Sequence, residues 1–267
     1  MLVVAAVVML FAAFSPRVPQ PESYHHFADQ RAWLGIPHFG DVVSNLPFAI
    51  VGLWGCWFIF SDRGQSKFVD RRERWPYAVG FSGLLLTFFG SSYYHLAPDN
   101  ARLAFDRLPM TLVFMPLVAA MVAERISVRA GLWLLPVLTA VGAASVWQWY
   151  ASERRGEGDL RLYAAVQIYA LLALLVALLL PARYTRGADL AGVVGFYALA
   201  KILETADRRV FLGSGGTVSG HTLKHLAAAA AGYWILRMLG KRRRLALTTT
   251  TARVSARSRG GEGVEDV

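Results

Sequence analysis

The chain has 267 residues, of which 55% are hydrophobic and only 17% charged, and its formal net charge at pH 7 is +10. This composition is too apolar for an ordinary soluble domain of that length. The basic residues lie mostly between apolar blocks and in the C-terminal tail, where membrane topology uses positive charge, so a nucleic-acid partner explains the charge poorly. The single cysteine, Cys56, excludes an intrachain disulfide and a thiolate metal cluster.

Eight apolar segments have about the length that a bilayer requires. They predict membrane-spanning helices at roughly 1–14, 44–60, 76–95, 105–123, 130–149, 162–181, 188–206 and 220–239. A signal peptide is the alternative for the first segment, but no basic residue precedes its apolar run and no clear cleavage site follows. The sequence therefore predicts an all-α, polytopic transmembrane helical bundle in which 1–14 is an N-terminal transmembrane helix.

The distribution of positive charge predicts the orientation of this bundle. Basic residues are concentrated in the segment 61–75 and directly after the last span, which should both face the cytoplasm. The segment 15–43 then forms a non-cytoplasmic loop, and 240–267 forms a basic, disordered cytoplasmic tail. The preference for arginine over lysine indicates a bacterium of high GC content, and hence a plasma-membrane location.

Two histidines stand at the start of the predicted last span, in the sequence Gly220-His-Thr-Leu-Lys-His225. A spacing of four places His221 and His225 on one helix face, one turn apart. Zinc ligands on a helix have this spacing, although the glutamate of the metalloprotease motif is missing. Two histidines on a polar helix face give the same pattern, so this motif is weak by itself.

A second set of polar residues brackets the turn between the third and fourth predicted spans. Ser91 and His95 are again four residues apart, and Asp106 follows after a turn signal at 98–100. Singly, Ser91 fits a hydroxyl bonded to its own helix, and Asp106 fits a helix cap or a partner of Arg107. The predicted topology, however, brings all five residues of the two motifs to the non-cytoplasmic end of the bundle.

This convergence favours a catalytic metal site, because ionisable side chains at membrane depth are costly and commonly functional. Three neutral imidazoles with a fourth position left for water are typical of catalytic zinc. A carboxylate near that water can accept its proton, and a hydroxyl can stabilise a developing oxyanion.

These motifs resemble those of the alkaline ceramidase family of membrane hydrolases, within a superfamily that includes lipid-remodelling hydrolases and adiponectin-type receptors. The resemblance rests on Ser91-x-x-x-His95, Asp106, His221-x-x-x-His225 and Ser44-Asn45. It implies a seven-helix hydrolase core at 44–239, here preceded by one extra helix. It further implies that His95, His221 and His225 bind Zn²⁺, that Ser91 and Asp106 are catalytic, and that the lipid substrate is ceramide.

The acidic calcium-binding stretch of eukaryotic family members is not reproduced, although Glu22, Asp29 and Asp41 remain, so calcium dependence is not expected. Two alternatives stay open: a receptor-like or sensor protein with a structural zinc, and a haem protein that uses His95 with one of the paired histidines. The oligomeric state is left open.

Other polar residues are interpreted as structural. Glu204 is expected to pair with Lys201 or Arg208, and Lys224 to pair or to extend toward the membrane surface. His25 and His26 are expected at the surface.

Overall fold

The computed structural model describes residues 1–245, so residues 246–267, most of the predicted tail, lie outside the described residues. The described chain is helical and contains no β-strand, only two isolated bridges. Its α-helices are α1 (Leu2–Phe14), α2 (Phe39–Val43), α3 (Leu46–Phe60), α4 (Asp62–Gln65), α5 (Arg74–Leu96), α6 (Asn100–Arg125), α7 (Val128–Arg154), α8 (Arg161–Leu179), α9 (Asp189–Thr205), α10 (Asp207–Gly213) and α11 (Gly220–Lys241).

Side-chain caps fix where the helices at the site begin. Asp99 accepts a hydrogen bond from the backbone N–H of Arg102, so α6 begins at Asn100, five residues before the predicted start of the fourth span. Ser219 accepts from the backbone N–H of Thr222 and starts α11 at Gly220, as predicted. Each cap satisfies one N–H that a helix leaves unpaired at its first turn.

Four helical segments are long and apolar enough to cross a membrane: Phe39–Phe60, Asn100–Arg125, Val128–Arg154 and Arg161–Leu179. This is the pattern of an integral membrane protein. The helices α5 and α11 have 23 and 22 residues, which is sufficient length, but they are not among these four segments. The helix α9 has 17 residues and α1 has 13. Eight spans therefore remain a prediction.

Six helices pack as a closed ring. The neighbours around it are α3, α5, α6, α8, α9 and α11, and α11 closes the ring by packing on α3. The helix α7 lies outside the ring against α6 and α8, and α1 packs on α8. All six ring helices contribute side chains to one internal cavity of about 300 Å³.

Two glycines of α5, Gly83 and Gly90, permit its close contact with α6, and Gly90 lies beside the site. A Cβ atom at Gly90 would collide with the backbone carbonyl of Phe105. Pro109, one turn further along α6, has no N–H to offer that carbonyl and interrupts the helical hydrogen bonding there. Gly90 thus permits the approach that places Ser91 beside the start of α6.

The end of the bundle opposite the histidines is held by buried ion pairs. Arg242, directly after α11, pairs with Glu124 near the end of α6, and both side chains are buried. Arg183 pairs with the buried carboxylate of Glu73 at 2.8 Å. Removing one partner of such a pair leaves an uncompensated charge, so these contacts join the ends of several helices firmly.

Candidate metal centre

Three histidines from two helices meet at one point inside the bundle. His95 comes from the last turn of α5, and His221 and His225 come from the first turns of α11. Their exposed fractions are 0%, 3% and 3%. One ring nitrogen from each lies within 4.8 Å of the other two, a grouping that could hold a metal ion. The convergence predicted from the sequence is therefore present.

The spacing of one pair of imidazole nitrogens fits two ligands of a tetrahedral metal. The Nε2 atoms of His95 and His221 are 3.3 Å apart. Two ligands of a tetrahedral ion with metal–nitrogen bonds of about 2.05 Å would be about 3.4 Å apart. A haem plane cannot pass between nitrogens at this distance, so this pair does not suit the haem alternative. An all-imidazole donor set suits zinc, copper, iron or nickel.

The orientation of His225 is fixed by a serine on the neighbouring element. The hydroxyl of Ser44 donates to the backbone carbonyl of Asp41 at 3.0 Å and lies 2.8 Å from Nδ1 of His225. Since that hydroxyl has given its proton to the carbonyl, it accepts from Nδ1–H of His225. The lone pair of His225 is then on Nε2, the nitrogen left free for a metal.

An aromatic residue from the segment 15–43 covers the cluster. Phe27 is 4% exposed, and its ring centroid lies 4.7 Å from that of His95 and 4.4 Å from that of His221. Its neighbour His25 has both ring nitrogens hydrogen-bonded, to the hydroxyl of Tyr94 and to Oδ1 of Asn100. His25 is therefore half-buried with both ring nitrogens engaged, while His26 is exposed as predicted.

Asp106 and Ser91 lie beside the histidines but are not part of the metal-ligating group found in residues 1–245. Both are buried, with exposed fractions of 7% and 2%, and they are neighbours across the α5–α6 contact. Together with His225 they line the internal cavity. A carboxylate and a hydroxyl are thus adjacent to a candidate metal site on the side where a ligand could enter.

The cavity is polar at one end and apolar elsewhere. At the polar end, Glu204 pairs with Lys201, as predicted, and also accepts from Lys224 at 2.9 Å and from the hydroxyl of Tyr24 at 3.1 Å. The remaining walls are mainly leucine, valine, alanine and phenylalanine side chains. The predicted pairing of Lys224 is confirmed, but the sequence did not place these residues at a cavity.

Arg107 is a second cavity residue whose surroundings the sequence did not indicate. The sequence suggests Arg107 as a partner for Asp106, yet no salt bridge joins the two. Its Nη2 donates to Oε1 of Gln20 at 2.6 Å, and its guanidinium lies 4.2 Å from the ring centroid of Trp149. Gln20 is 87 positions away in the sequence, so no local pattern could have revealed this contact.

Comparison with known proteins identifies no relative of this chain. No protein-family model matches the chain. No curated protein matches it either.

Proposed function

We propose that this protein is a zinc-dependent hydrolase of the amide bond of a membrane lipid. Ceramide, the substrate that the motif resemblance implies, would be cleaved to a sphingoid base and a fatty acid. The observation that supports the proposal is the position of the histidine cluster, three buried imidazoles of which one, His225, lines the polar end of an otherwise apolar cavity. An amphiphile bound there would have its polar group near the metal and its chain among the apolar walls.

The metal would be held by His95, His221 and His225 in their neutral forms. Zinc bound by three imidazoles lowers the pKa of its water to about 7 and polarises a carbonyl group. Ser44 contributes indirectly, because its hydroxyl keeps the proton of His225 on Nδ1 and so leaves Nε2 as the donor.

The remaining chemistry falls to Asp106 and Ser91. The carboxylate of Asp106 accepts a proton from the attacking water as the water oxygen bonds to the carbonyl carbon. It then delivers this proton to the amine nitrogen as the carbon–nitrogen bond breaks. The hydroxyl of Ser91 donates to the carbonyl oxygen while negative charge develops there. The buried environment of both groups excludes bulk water and strengthens these interactions.

Turnover and metal content of the detergent-purified protein test the proposal together. We expect about one zinc per chain and release of fatty acid from ceramide, detected by mass spectrometry, with loss of activity on chelation and recovery on adding zinc. His221→Ala and His225→Ala should each lose most of the zinc, whereas His26→Ala, which changes an exposed histidine, should keep it.

The possible outcomes separate the alternatives. Wild-type zinc content in both α11 variants would remove the metal hypothesis. A protein that holds zinc but releases no fatty acid from ceramide or from other lipid amides would be a receptor-like or sensor protein with a structural metal.

A further inference from the structure

The guanidinium of Arg107 is buried among neutral groups. The side chain lines the cavity, and the residue is only 6% exposed. Besides its bond to Gln20, it faces the rings of Tyr24, Trp149 and Tyr163, whose centroids lie 5.5, 4.2 and 4.9 Å away. Within residues 1–245 it forms no salt bridge, and its Nη1 has no hydrogen-bond partner.

A second buried arginine shows how this protein neutralises such a charge elsewhere. Arg242 also lies against aromatic rings, including that of Tyr184 at 3.9 Å, but it pairs in addition with the carboxylate of Glu124. Cation–π contacts offset only part of the cost of removing a guanidinium from water. Arg107 has the aromatic cage and lacks the carboxylate.

The charges at the polar end of the cavity do not supply the missing partner. Three cationic side chains, Arg107, Lys201 and Lys224, face two carboxylates. Glu204 is already engaged by both lysines and by the hydroxyl of Tyr24. Asp106 precedes Arg107 in α6, and consecutive side chains on a helix diverge by about 100°. A metal ion at the histidines would add further positive charge.

We propose that Arg107 binds an acidic group on the amine half of the substrate. Among the lipid amides that the proposed hydrolase cleaves, those with a carboxylate or phosphate close to the scissile bond are then preferred over neutral amides such as ceramide. The planar guanidinium suits such groups, because its N–H donors match two anionic oxygens at once. This inference rests on the proposed function and narrows its substrate class.

Binding of two matched amphiphiles tests the inference without requiring turnover. N-dodecanoylglycine and N-dodecanoylethanolamine have the same acyl chain and the same amide bond. The glycine amide ends in a carboxylate, whereas the ethanolamine amide has a neutral hydroxymethyl group in its place. Calorimetry on the zinc-loaded protein in detergent measures both dissociation constants, and the heat of amphiphile partition into protein-free micelles is subtracted. Mass spectrometry then checks that both amides are intact after the measurement. We expect the wild-type protein to bind the glycine amide at least about tenfold more tightly, the scale of a charged hydrogen bond.

Substitutions assign this preference to the arginine. Arg107→Gln should remove it while leaving binding of the ethanolamine amide within about threefold, which also shows that the cavity is intact. Arg107→Lys should keep part of the preference. The control Arg102→Gln changes an arginine of the same helix that is not among the cavity-lining residues, and should keep all of it.

Three results would overturn the inference. In the first, the wild-type protein binds the two amides with equal affinity, and in the second, the preference for the glycine amide survives Arg107→Gln. In the third, dodecanoate binds as tightly as the glycine amide and its binding depends on Arg107 in the same way. The last would assign the arginine to the acid of the acyl half. If Arg107→Gln does not fold, Arg107→Lys takes its place, and a preference equal to that of the wild type in this variant counts against the inference. An acid preference without hydrolysis of either amide would leave the arginine site standing and count against the hydrolase proposal alone.

Discussion

At the scale of single residues, the three imidazoles differ in how their second nitrogen is held. Nδ1 of His225 donates to Ser44, whereas Nδ1 of His95 is buried without a hydrogen-bond partner in the described part of the chain. A partner on the second nitrogen fixes the tautomer and orients the ring. Ser44 therefore prepares one ligand for a metal, and packing against Phe27 is the main constraint on the ring of His95.

Replacing Ser44 isolates this contribution. We expect Ser44→Ala to lower the affinity for zinc by about tenfold to a hundredfold, the usual effect of losing such a partner. The control is Ser145→Ala on α7, because that buried hydroxyl donates only to the carbonyl of Gly142 in its own helix. Competition with a chelator of known zinc affinity measures both variants. Equal affinities for Ser44→Ala and the wild type would show that His225 does not depend on this bond.

Asp106 should matter more to turnover than to metal binding. It lies outside the histidine group and lines the cavity, so Asp106→Asn should leave zinc affinity within about tenfold of the wild-type value. Hydrolysis of a lipid amide should fall by about a hundredfold or more, because the amide cannot accept the proton of the water. Asp99→Asn is the matched control, since asparagine caps a helix as well as aspartate does. If Asp106→Asn binds as much zinc as the wild type and hydrolyses the lipid amide at a near-normal rate, Asp106 is not the general base.

The sequence predicted the histidines of the site better than their surroundings. Spacing on a helix brings His221 and His225 to one face, and topology brings His95 to the same end, so their meeting could be expected. The bonds of Ser44 and Arg107 could not be expected, because each joins residues more than 80 positions apart whose relative rotation depends on tertiary packing. Periodicity describes one helix and does not specify which face of its neighbour it meets.

At the scale of helices, the pair α5 and α6 carries His95, Ser91 and Asp106, and the two helices approach each other closely at Gly90. The turn signal at 98–100 correctly separated these two helices, but the predicted start of the second was five residues late. The cap at Asp99 brings residues 100–104 into the helix, where Asn100 and Arg102 interrupt the apolar pattern from which the start was predicted. The same criterion is weak for α11, whose first turns are polar because they carry the site.

A side chain at Gly90 should separate these helices. We expect Gly90→Ala to lower the stability by about 1–3 kcal/mol, the usual cost of overpacking, since the added carbon collides with the carbonyl of Phe105. The control Gly80→Ala lies in the same helix where no atom is within 4 Å of the added carbon, so no clash opposes it. Thermal unfolding in detergent compares the two. Equal melting temperatures for both variants would mean that the α5–α6 contact tolerates a side chain at position 90.

At the scale of the whole molecule, the histidines and the buried pair of Arg242 with Glu124 occupy opposite ends of the ring of helices. The charge distribution predicts that the histidine end faces away from the cytoplasm. Nothing in the packing of the helices determines which end faces outward, because the same bundle can be inserted either way. Orientation therefore has to be measured in the membrane.

Cysteine labelling in intact cells measures it. In a Cys56→Ala background, Asp99→Cys places a thiol at the histidine end and Ser66→Cys places one at the other end, both at exposed positions. We expect an impermeant maleimide to label position 99 in intact cells and position 66 only after lysis. The reverse pattern would invert the topology and place the site on the cytoplasmic side.

The ring of Phe27 has a consequence for how a metal enters and leaves. It lies over His95 and His221, in a segment that is joined to the bundle by His25 and by the bond from the N–H of Ala28 to Asp207. With the cavity filled by a lipid amide, a chelator cannot reach the imidazoles until this segment lifts, so we expect metal exchange in that state to be controlled by the opening rate of the segment rather than by the strength of the chelator. The ion, once inside, would be kinetically trapped, and its loss on chelation would have a time constant that does not change with chelator concentration.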